Sequence, residues 1–254
     1  MMVNRVKEKL RAGDYCIGVF VTIPSPAIVE IIGYAGFDFI IIDMEHGVID
    51  YESVEDMVRA ADLHGLTSIV RVQDARESYI LRALETGAHG VEVPHIDDDG
   101  AAAKVVDAVK YAPLGGRGVS PYTRAAGYSS ISPSEHFSRS NRETMIVLHI
   151  EGRRGVENLE SISDVDGVDV LFAGPYDLSQ SYGVPGEVDD PRVIYAMNRL
   201  IDVCRSRGRW PGTFVPNFER AKRWISAGMK YVAYSVDAGI LYESLRNIRS
   251  RLRS

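Results

Sequence analysis

Short apolar runs rich in valine and isoleucine alternate with amphipathic segments along the whole chain. These runs stay apolar from end to end, which is typical of parallel strands that are covered on both faces of a sheet. They predict eight strands, near residues 16–23, 38–43, 67–72, 89–94, 145–150, 168–173, 211–215 and 230–235.

Apolar residues recur at helical spacing between the runs, for example over 53–64 and 191–205, where they fall on one face. Glycines follow the predicted helix ends, where a left-handed cap is common: Gly65, Gly87, Gly208 and Gly228. Eight strands separated by helices predict a single-domain TIM (β/α)8 barrel over residues 1–254. An open doubly wound sheet is the alternative, but no glycine-rich dinucleotide fingerprint follows the first strand.

Two segments depart from this alternation. The stretch 112–143 is long and rich in glycine and serine, so we expect a functional or mobile loop there. The stretch 180–190 is rich in turn-forming residues. The last predicted helix, 238–253, carries a narrow apolar seam that packs either on the barrel or on another subunit.

Composition narrows the class of protein. A length of 254 residues with 45% hydrophobic content suits one large domain. The net charge is -6 and the basic residues are spread out, so we expect no nucleic-acid partner. No apolar run is long enough to span a bilayer, and residues 1–8 lack the apolar stretch of a signal peptide. We therefore predict a cytoplasmic protein with no membrane partner.

Two carboxylates, Glu151 and Asp177, each stand just past the end of a strand-like run. The 26 residues between them correspond to about one strand–helix–strand unit. If the two strands are parallel neighbours, both carboxylates lie at one rim and can share a hard divalent cation such as Mg²⁺ or Mn²⁺. The alternative is that they cap helices or pair with Arg153 or Arg154.

Other candidates stand at the same predicted rim. His46 is a candidate general base, because imidazole is the side chain that most often takes a proton at neutral pH, and Asp43, Glu45 or Glu85 are candidates to orient it. The alternative is a structural histidine at a turn.

Arg71 ends an apolar strand-like run, and its fork matches a substrate carboxylate. An internal ion pair with Asp43 or Glu45 is the alternative. His149 precedes Glu151 by two residues, so on a strand both side chains share a face. His149 is therefore a candidate to line the pocket or approach the metal, although a core histidine is equally compatible.

Several motifs occur in order along the chain. They are Asp43-x-Glu45-His46-Gly47, the strand residue Arg71, Leu84-x-x-Gly87-Ala88-x-Gly90-Val91-x-Val93-Pro94, Gly116-Arg117-Gly118, Ile150-Glu151 and Gly174-Pro175-x-Asp177-Leu178-Ser179. This ordered set resembles the HpcH/HpaI aldolases, which are metal-dependent class II pyruvate aldolases on a TIM barrel.

The resemblance implies reversible cleavage of a 4-hydroxy-2-oxo acid to pyruvate and an aldehyde through a metal-stabilised enolate. It implies Mg²⁺, Mn²⁺ or Co²⁺ at Glu151 and Asp177, and homo-oligomers, usually hexamers. It also assigns roles to individual residues. Arg71 stabilises the keto or enolate oxygen, His46 is the base acting through a metal-bound water, and the backbone near Gly174 and Pro175 receives the pyruvate carboxylate.

Two positions depart from the family pattern. Glu85 stands where many members carry an aspartate that orients the catalytic histidine, and His149 stands where many carry glutamine. These departures leave other functions open: a 2-oxoacid decarboxylase, an acyl-CoA lyase, or a non-catalytic keto-acid binder. The sequence has no concentrated group of basic residues that could form a groove for the nucleotide end of CoA, and this counts against an acyl-CoA substrate. We expect the acceptor aldehyde to contact the loop 112–130.

Overall fold

Parallel strands close into a barrel in the computed structural model, which describes residues 3–253. Within that range the strands are β1 Cys16–Val21, β2 Phe39–Asp43, β3 Thr67–Arg71, β4 Gly90–Val93, β5 Met145–Ile150, β6 Val170–Ala173, β7 Trp210–Val215 and β8 Tyr231–Val236. Each strand pairs in parallel with the next along the chain, and β8 pairs with β1. The predicted TIM barrel is therefore confirmed, and the open sheet is excluded.

Helices connect the strands and cover the barrel. They are α1 Arg5–Arg11, α2 Pro26–Tyr34, α3 Tyr51–His64, α4 Glu77–Glu85, α5 Asp99–Val109, α6 Pro133–Glu143, α7 Arg153–Glu157, α8 Leu159–Ser163, α9 Pro175–Ser181, α10 Pro191–Arg207, α11 Phe218–Ala227 and α12 Asp237–Arg253. Among residues 3–253 no helix is long and apolar enough to cross a membrane.

Helix α3 shows how the local sequence sets these boundaries. The Asp50 side chain accepts a hydrogen bond from the Ser53 N–H at 2.8 Å and so caps the first turn. Gly65 ends the helix in the left-handed region, with φ of 67°. Between these ends Val54 and Met57 are fully buried against the barrel.

The second half of the segment 112–143 is not a loop, although the sequence analysis expected a loop throughout. Ser132 caps α6 by accepting a hydrogen bond from the Glu135 N–H, and Pro133 occupies the first turn, where its fixed φ suits a helix. A short 3-10 segment, Arg124–Ser129, precedes α6. The stretch before that segment is irregular, as predicted.

The core has two layers. The outer layer lies between the barrel and its helices. The inner layer fills the barrel, where Phe39 stacks on Tyr231 with ring centroids 4.0 Å apart. Val6 and Leu10 of α1 pack into this inner layer. The two layers hold the strands in place around the site described next.

Helix α12 does not bury its apolar seam. In Asp237–Arg253 the buried residue is Asp237, whose carboxylate accepts hydrogen bonds from the N–H groups of Thr22 and Ile23. The apolar residues of the seam are exposed, for example Leu245 at 58% and Leu252 at 82%. The alternative that the seam packs on its own barrel is therefore wrong.

Candidate active site

Polar side chains replace the apolar filling of the barrel at the carboxyl ends of its strands. Strand register pairs Asp43 with Arg71 and Arg71 with Glu92, while His149 pairs with Phe172. Because side chains alternate along a strand, one face of each strand supplies the barrel interior. Asp43, Arg71, Glu92 and His149 therefore form a polar layer at the rim where a TIM barrel places its chemistry.

A cavity of about 350 Å³ lies over this layer. That volume suits a small organic ligand. The residues predicted from sequence that line it are His46, Arg71, His149, Gly174, Pro175 and Asp177. Its other walls are Phe20, Thr22, Asp43, Phe172, Tyr176, Phe214 and Val236.

The carboxylates of Glu151 and Asp177 converge on Gly174. Glu151 follows β5, and Asp177 lies in the first turn of α9, just after β6. A β-carbon added to Gly174 would lie 2.9 Å from Glu151 Oε2 and 3.7 Å from Asp177 Oδ2. Both carboxylates therefore border a point that a glycine leaves open.

These two carboxylates fit the cation that the resemblance implies. Their oxygens are the ligands that hard divalent cations prefer. Within residues 3–253 no group of three or more His, Cys, Asp or Glu side chains is placed to hold a metal. The protein would therefore supply two ligands and leave the other positions to water and substrate, as is usual for Mg²⁺.

Glu151 is held by two histidines. The His95 N–H donates to Oε1 at 2.8 Å, and His149 Nδ1 lies 2.9 Å from Oε2. Burial favours the neutral carboxyl, but His149 and His95 outweigh burial and lower the pKa of Glu151 to about 2. The group is therefore a carboxylate at neutral pH. Oε1 is contacted by both the backbone N–H and Nδ1 of His95, whereas Oε2 is contacted by His149 and keeps a lone pair for a cation.

His149 lies between two acids at the centre of the site. Its ring stacks on Phe172, with centroids 4.6 Å apart, and its Nε2 forms a short hydrogen bond with Glu92 Oε1. Burial lowers the pKa of His149, but the charges of Glu151 and Glu92 reverse this effect and raise that pKa to about 10. His149 is therefore an imidazolium between two carboxylates at neutral pH.

Arg71 forms the internal ion pair that the sequence analysis gave as the alternative to a carboxylate clamp. Its Nε donates to Asp43 Oδ1 at 2.9 Å and its Nη2 to Oδ2 at 2.6 Å, while Nη1 lies 3.2 Å from Glu45 Oε2. The Nε/Nη2 edge therefore does not clamp a substrate carboxylate while Asp43 holds it. Arg71 still lines the cavity, where the N–H groups that Asp43 and Glu45 do not engage can donate to a ligand.

His46 lies at the cavity mouth, and its side chain is exposed. Its backbone N–H donates to Asp43 Oδ1 at 3.2 Å, and the Glu45 N–H donates to the same oxygen at 3.1 Å. Burial alone would raise the pKa of Asp43, but the guanidinium of Arg71 lowers it. One carboxylate thus fixes both the turn that carries His46 and the orientation of Arg71.

The position of Glu85 differs from the expectation that this residue orients His46. It ends α4, five residues before β4 begins, whereas His46 follows the end of β2, so a strand length separates them. Glu85 lines a separate outer cavity with Arg82 and Arg124. The structure therefore contradicts a contact between Glu85 and His46 within one chain.

The loop 112–130 likewise lies away from the site in this chain. Its residues Tyr122, Arg124 and Tyr128 line the outer cavity beside α3 and α4. Arg124 holds the loop there by donating to the Thr86 carbonyl at 2.9 Å. The expected contact between this loop and the acceptor aldehyde is therefore wrong within one chain.

The family model for HpcH/HpaI aldolase/citrate lyase matches residues 16–244. That match takes in every residue of the site described above. The chain belongs to the HpcH/HpaI aldolase/citrate lyase family. It is therefore a carbon–carbon lyase of the aldolase type, and aldolases of this family generally need a divalent metal.

Relatives of this HpcH/HpaI aldolase match it over nearly its whole length. It is 33% identical over 250 residues to a pyruvate aldolase of Rhizobium etli, covering 98% of this chain and 97% of that protein. It is 32% identical to a hydroxypyruvate/pyruvate aldolase of Pseudomonas aeruginosa, covering 99% and 93%. A solved HpcH/HpaI family structure from Burkholderia cenocepacia is 30% identical, with a TM-score of 0.94 and 99% and 100% coverage.

Sequence reasoning missed two residues of this family member's site. Glu92 stands in the apolar stretch that predicts β4. A lone acid in such a stretch indicates a buried partner, because acids are rarely buried unless they are paired. His95 stands two residues past that strand with φ of 57°, a conformation unusual for a histidine. No sequence pattern linked His95 to Glu151.

Proposed function

We propose that this protein is a divalent-metal-dependent aldolase that reversibly cleaves a 4-hydroxy-2-oxo acid to pyruvate and an aldehyde. The observation that carries the proposal is the convergence of Glu151 and Asp177 on Gly174, which lines the same cavity as Asp177, His46 and Arg71. The names of the relatives from R. etli and P. aeruginosa support pyruvate as the common product.

Glu151 and Asp177 would hold the cation, with Mg²⁺ or Mn²⁺ the best match to an all-oxygen donor set and Co²⁺ a further candidate. When bound, the cation supplies a Lewis acid that polarises the 2-keto group of the substrate. Gly174 and Pro175 line the cavity beside both carboxylates, and we assign them to the substrate's own carboxylate.

The chain's own residues account for the proton and charge movements of cleavage. His46 takes the proton of the 4-hydroxyl group as the C3–C4 bond breaks and the aldehyde forms. The electron pair of that bond passes to the keto oxygen, giving the pyruvate enolate, and Arg71 donates a hydrogen bond to this oxygen. Protonation at C3 then releases pyruvate.

Aromatic side chains surround the reacting atoms. Phe20 and Phe172 pack edge to face with ring centroids 6.2 Å apart, and Phe20 and Phe214 do so at 5.9 Å. These rings reduce the water around Arg71, whose guanidinium lies 4.8 Å from the Phe20 centroid. Charge interactions are stronger where water is excluded, so the ring wall increases the effect of Arg71 on the enolate oxygen.

The test is pyruvate release from small 4-hydroxy-2-oxo acids, followed with lactate dehydrogenase and NADH. Protein stripped with EDTA should be inactive and should regain activity with Mg²⁺, Mn²⁺ or Co²⁺. Glu151→Gln and Asp177→Asn should lose that regained activity, whereas Asp202→Asn, on the exposed surface of α10, should keep it. Full activity in either site variant, or without metal, would overturn the metal assignment.

We also propose that the protein forms a homo-oligomer in which α12 contacts a second copy. The exposed apolar seam of α12 supports this proposal. An apolar cavity of about 720 Å³ beside α11, with Phe37, Phe218 and Ile225 in its walls, is a matching surface for such a seam. The family resemblance implies a hexamer.

A further inference from the structure

Glu92 is a buried acid for which the proposed reaction has no role. Its side chain has no exposed surface, and it projects from β4 into the barrel. Removing a carboxylate from water costs several kcal/mol unless a partner compensates for the lost hydration. A leucine or valine would fill this interior position at a lower free-energy cost. An acid at this position therefore indicates a specific role.

The partner of Glu92 is His149. Glu92 Oε1 forms a short hydrogen bond with His149 Nε2, while Glu92 Oε2 has no hydrogen-bond partner among residues 3–253. The hydrogen bonding of Glu92 is therefore concentrated on one histidine, although its charge also acts on nearby Arg71. That histidine is itself almost fully buried.

Contacts on several sides fix the ring of His149. Phe172 stacks on its face with an interplanar angle of 12°. Glu92 occupies Nε2 on one edge, and Glu151 Oε2 lies 2.9 Å from Nδ1 on the other. A ring flip would turn carbon atoms toward both carboxylates, so the two acids together select one orientation.

We propose that Glu92 is a positioning residue for the metal site. Through its hydrogen bond with Nε2, it holds the His149 ring so that Nδ1 lies beside Glu151 Oε2. That contact keeps Oε2 beside Gly174, on the side that Asp177 also faces. Outer hydrogen-bond partners of this kind orient metal ligands and affect metal affinity.

This inference rests on the proposed function, because it takes Glu151 and Asp177 to be the metal ligands. The test measures Mn²⁺ affinity of the metal-free protein by electron paramagnetic resonance. Glu92→Leu, which removes the acceptor, should weaken Mn²⁺ binding about tenfold or more. Glu92→Gln keeps a carbonyl acceptor at nearly the same place, so it should bind Mn²⁺ more tightly than Glu92→Leu.

The matched control is Glu143→Leu. Glu143 is also a buried acid, but it lies near the other end of the barrel and accepts a hydrogen bond from the Asn4 N–H. This variant should keep parental Mn²⁺ affinity even if its melting temperature falls. Circular dichroism on every variant separates a change in affinity from a loss of fold.

A double-mutant cycle decides whether Glu92 acts through His149. In a His149→Gln background, a second change at Glu92 should not weaken Mn²⁺ binding further. Additive losses, or parental affinity in folded Glu92→Leu and Glu92→Gln proteins, would overturn the positioning role alone. Failure of the parent protein to bind Mn²⁺ would instead overturn the proposed metal site, and this inference with it.

Discussion

Gly174 is the residue whose lack of a side chain matters most to the site. Its backbone, with φ of -90° and ψ of 92°, is open to other residues, so the need for glycine comes from the space around it. The alanine methyl group would enter the gap between Glu151 and Asp177. Steric crowding of the ligands, and not backbone strain, should therefore decide the effect of a substitution.

We expect Gly174→Ala to lower aldolase activity about 100-fold, since a displacement of about 1 Å can cost that much. The melting temperature should change little. The control is Gly100→Ala in α5, where the new methyl group meets only Asp98 Oδ1 at 3.4 Å and alanine favours the helix. Parental activity in Gly174→Ala would contradict the crowded arrangement at this point.

The pairing of Glu151 with His149 predicts how stability depends on pH. Glu151 has a pKa of about 2 in the folded protein against an ordinary 4.5. Its contribution is therefore present above pH 4.5 and is lost as the pH falls toward 2. His149, with its pKa raised to about 10, adds stability that is complete below pH 6.5 and is lost as the pH rises through 10.

We expect His149→Gln to remove the cation that lowers the pKa of Glu151, so that acid unfolding begins at higher pH than in the parent. Urea unfolding between pH 2 and 5, followed by circular dichroism, measures this shift. His64→Gln is the control, because the His64 ring packs on the exposed ring of Tyr34, away from the site. An unchanged acid profile in His149→Gln would show that the pair does not stabilise the fold.

How far sequence predicts single residues depends on whether their partners are near in the chain. Glu151 and Asp177 stand at regular places after strands, so the barrel pattern alone locates them at one rim. The partners of Glu92 and His95 lie on or just after the neighbouring strand β5, more than 50 residues away in the chain, and no local spacing reveals them. Within one chain Glu85 lies away from the site, because its position in the motif does not show which end of α4 faces the cavity.

Among the elements, α12 differs most from its counterparts. Other long helices, such as α10, bury an apolar face against the barrel, whereas α12 leaves its seam exposed. The periodic pattern predicts both helices equally well. It cannot say which surface covers the seam, because that depends on packing beyond the helix itself.

We expect Leu245→Asp to break the proposed oligomer, because a carboxylate cannot be buried in an apolar contact without a partner. Analytical ultracentrifugation should show smaller species than in the parent. Asn247→Asp adds the same group at an exposed position on a different face of α12 and should leave the assembly intact. An unchanged sedimentation profile for Leu245→Asp would remove α12 from the interface.

In the stretch 112–143, amino-acid composition gave a wrong prediction of the element. Glycine and serine are frequent there, and the sequence analysis therefore expected a loop throughout. Ser132 and Pro133 in fact start α6, because a serine at the cap and a proline in the first turn both stabilise a helix start. The start signal was present in the sequence, but the surrounding composition obscured it.

At the scale of the whole molecule, the architecture follows from periodicity. Uniformly apolar strands require cover on both faces, and eight of them separated by helices close a barrel. Closure brings residues as distant in sequence as Asp43, Arg71, His149 and Asp177 to one cavity. The proposed function depends on this convergence. The individual contacts among these residues could be determined only from the structure.

The measurement that tests the central claim most directly is exchange of the C3 protons of pyruvate in D₂O, followed by NMR. Pyruvate is the proposed product, so the site should form its enolate without any aldehyde present. We predict rapid exchange with Mg²⁺ or Mn²⁺, abolished by EDTA and by Glu151→Gln. Exchange no faster than in protein-free controls, with Mg²⁺, Mn²⁺ and Co²⁺ each tried, would contradict the account.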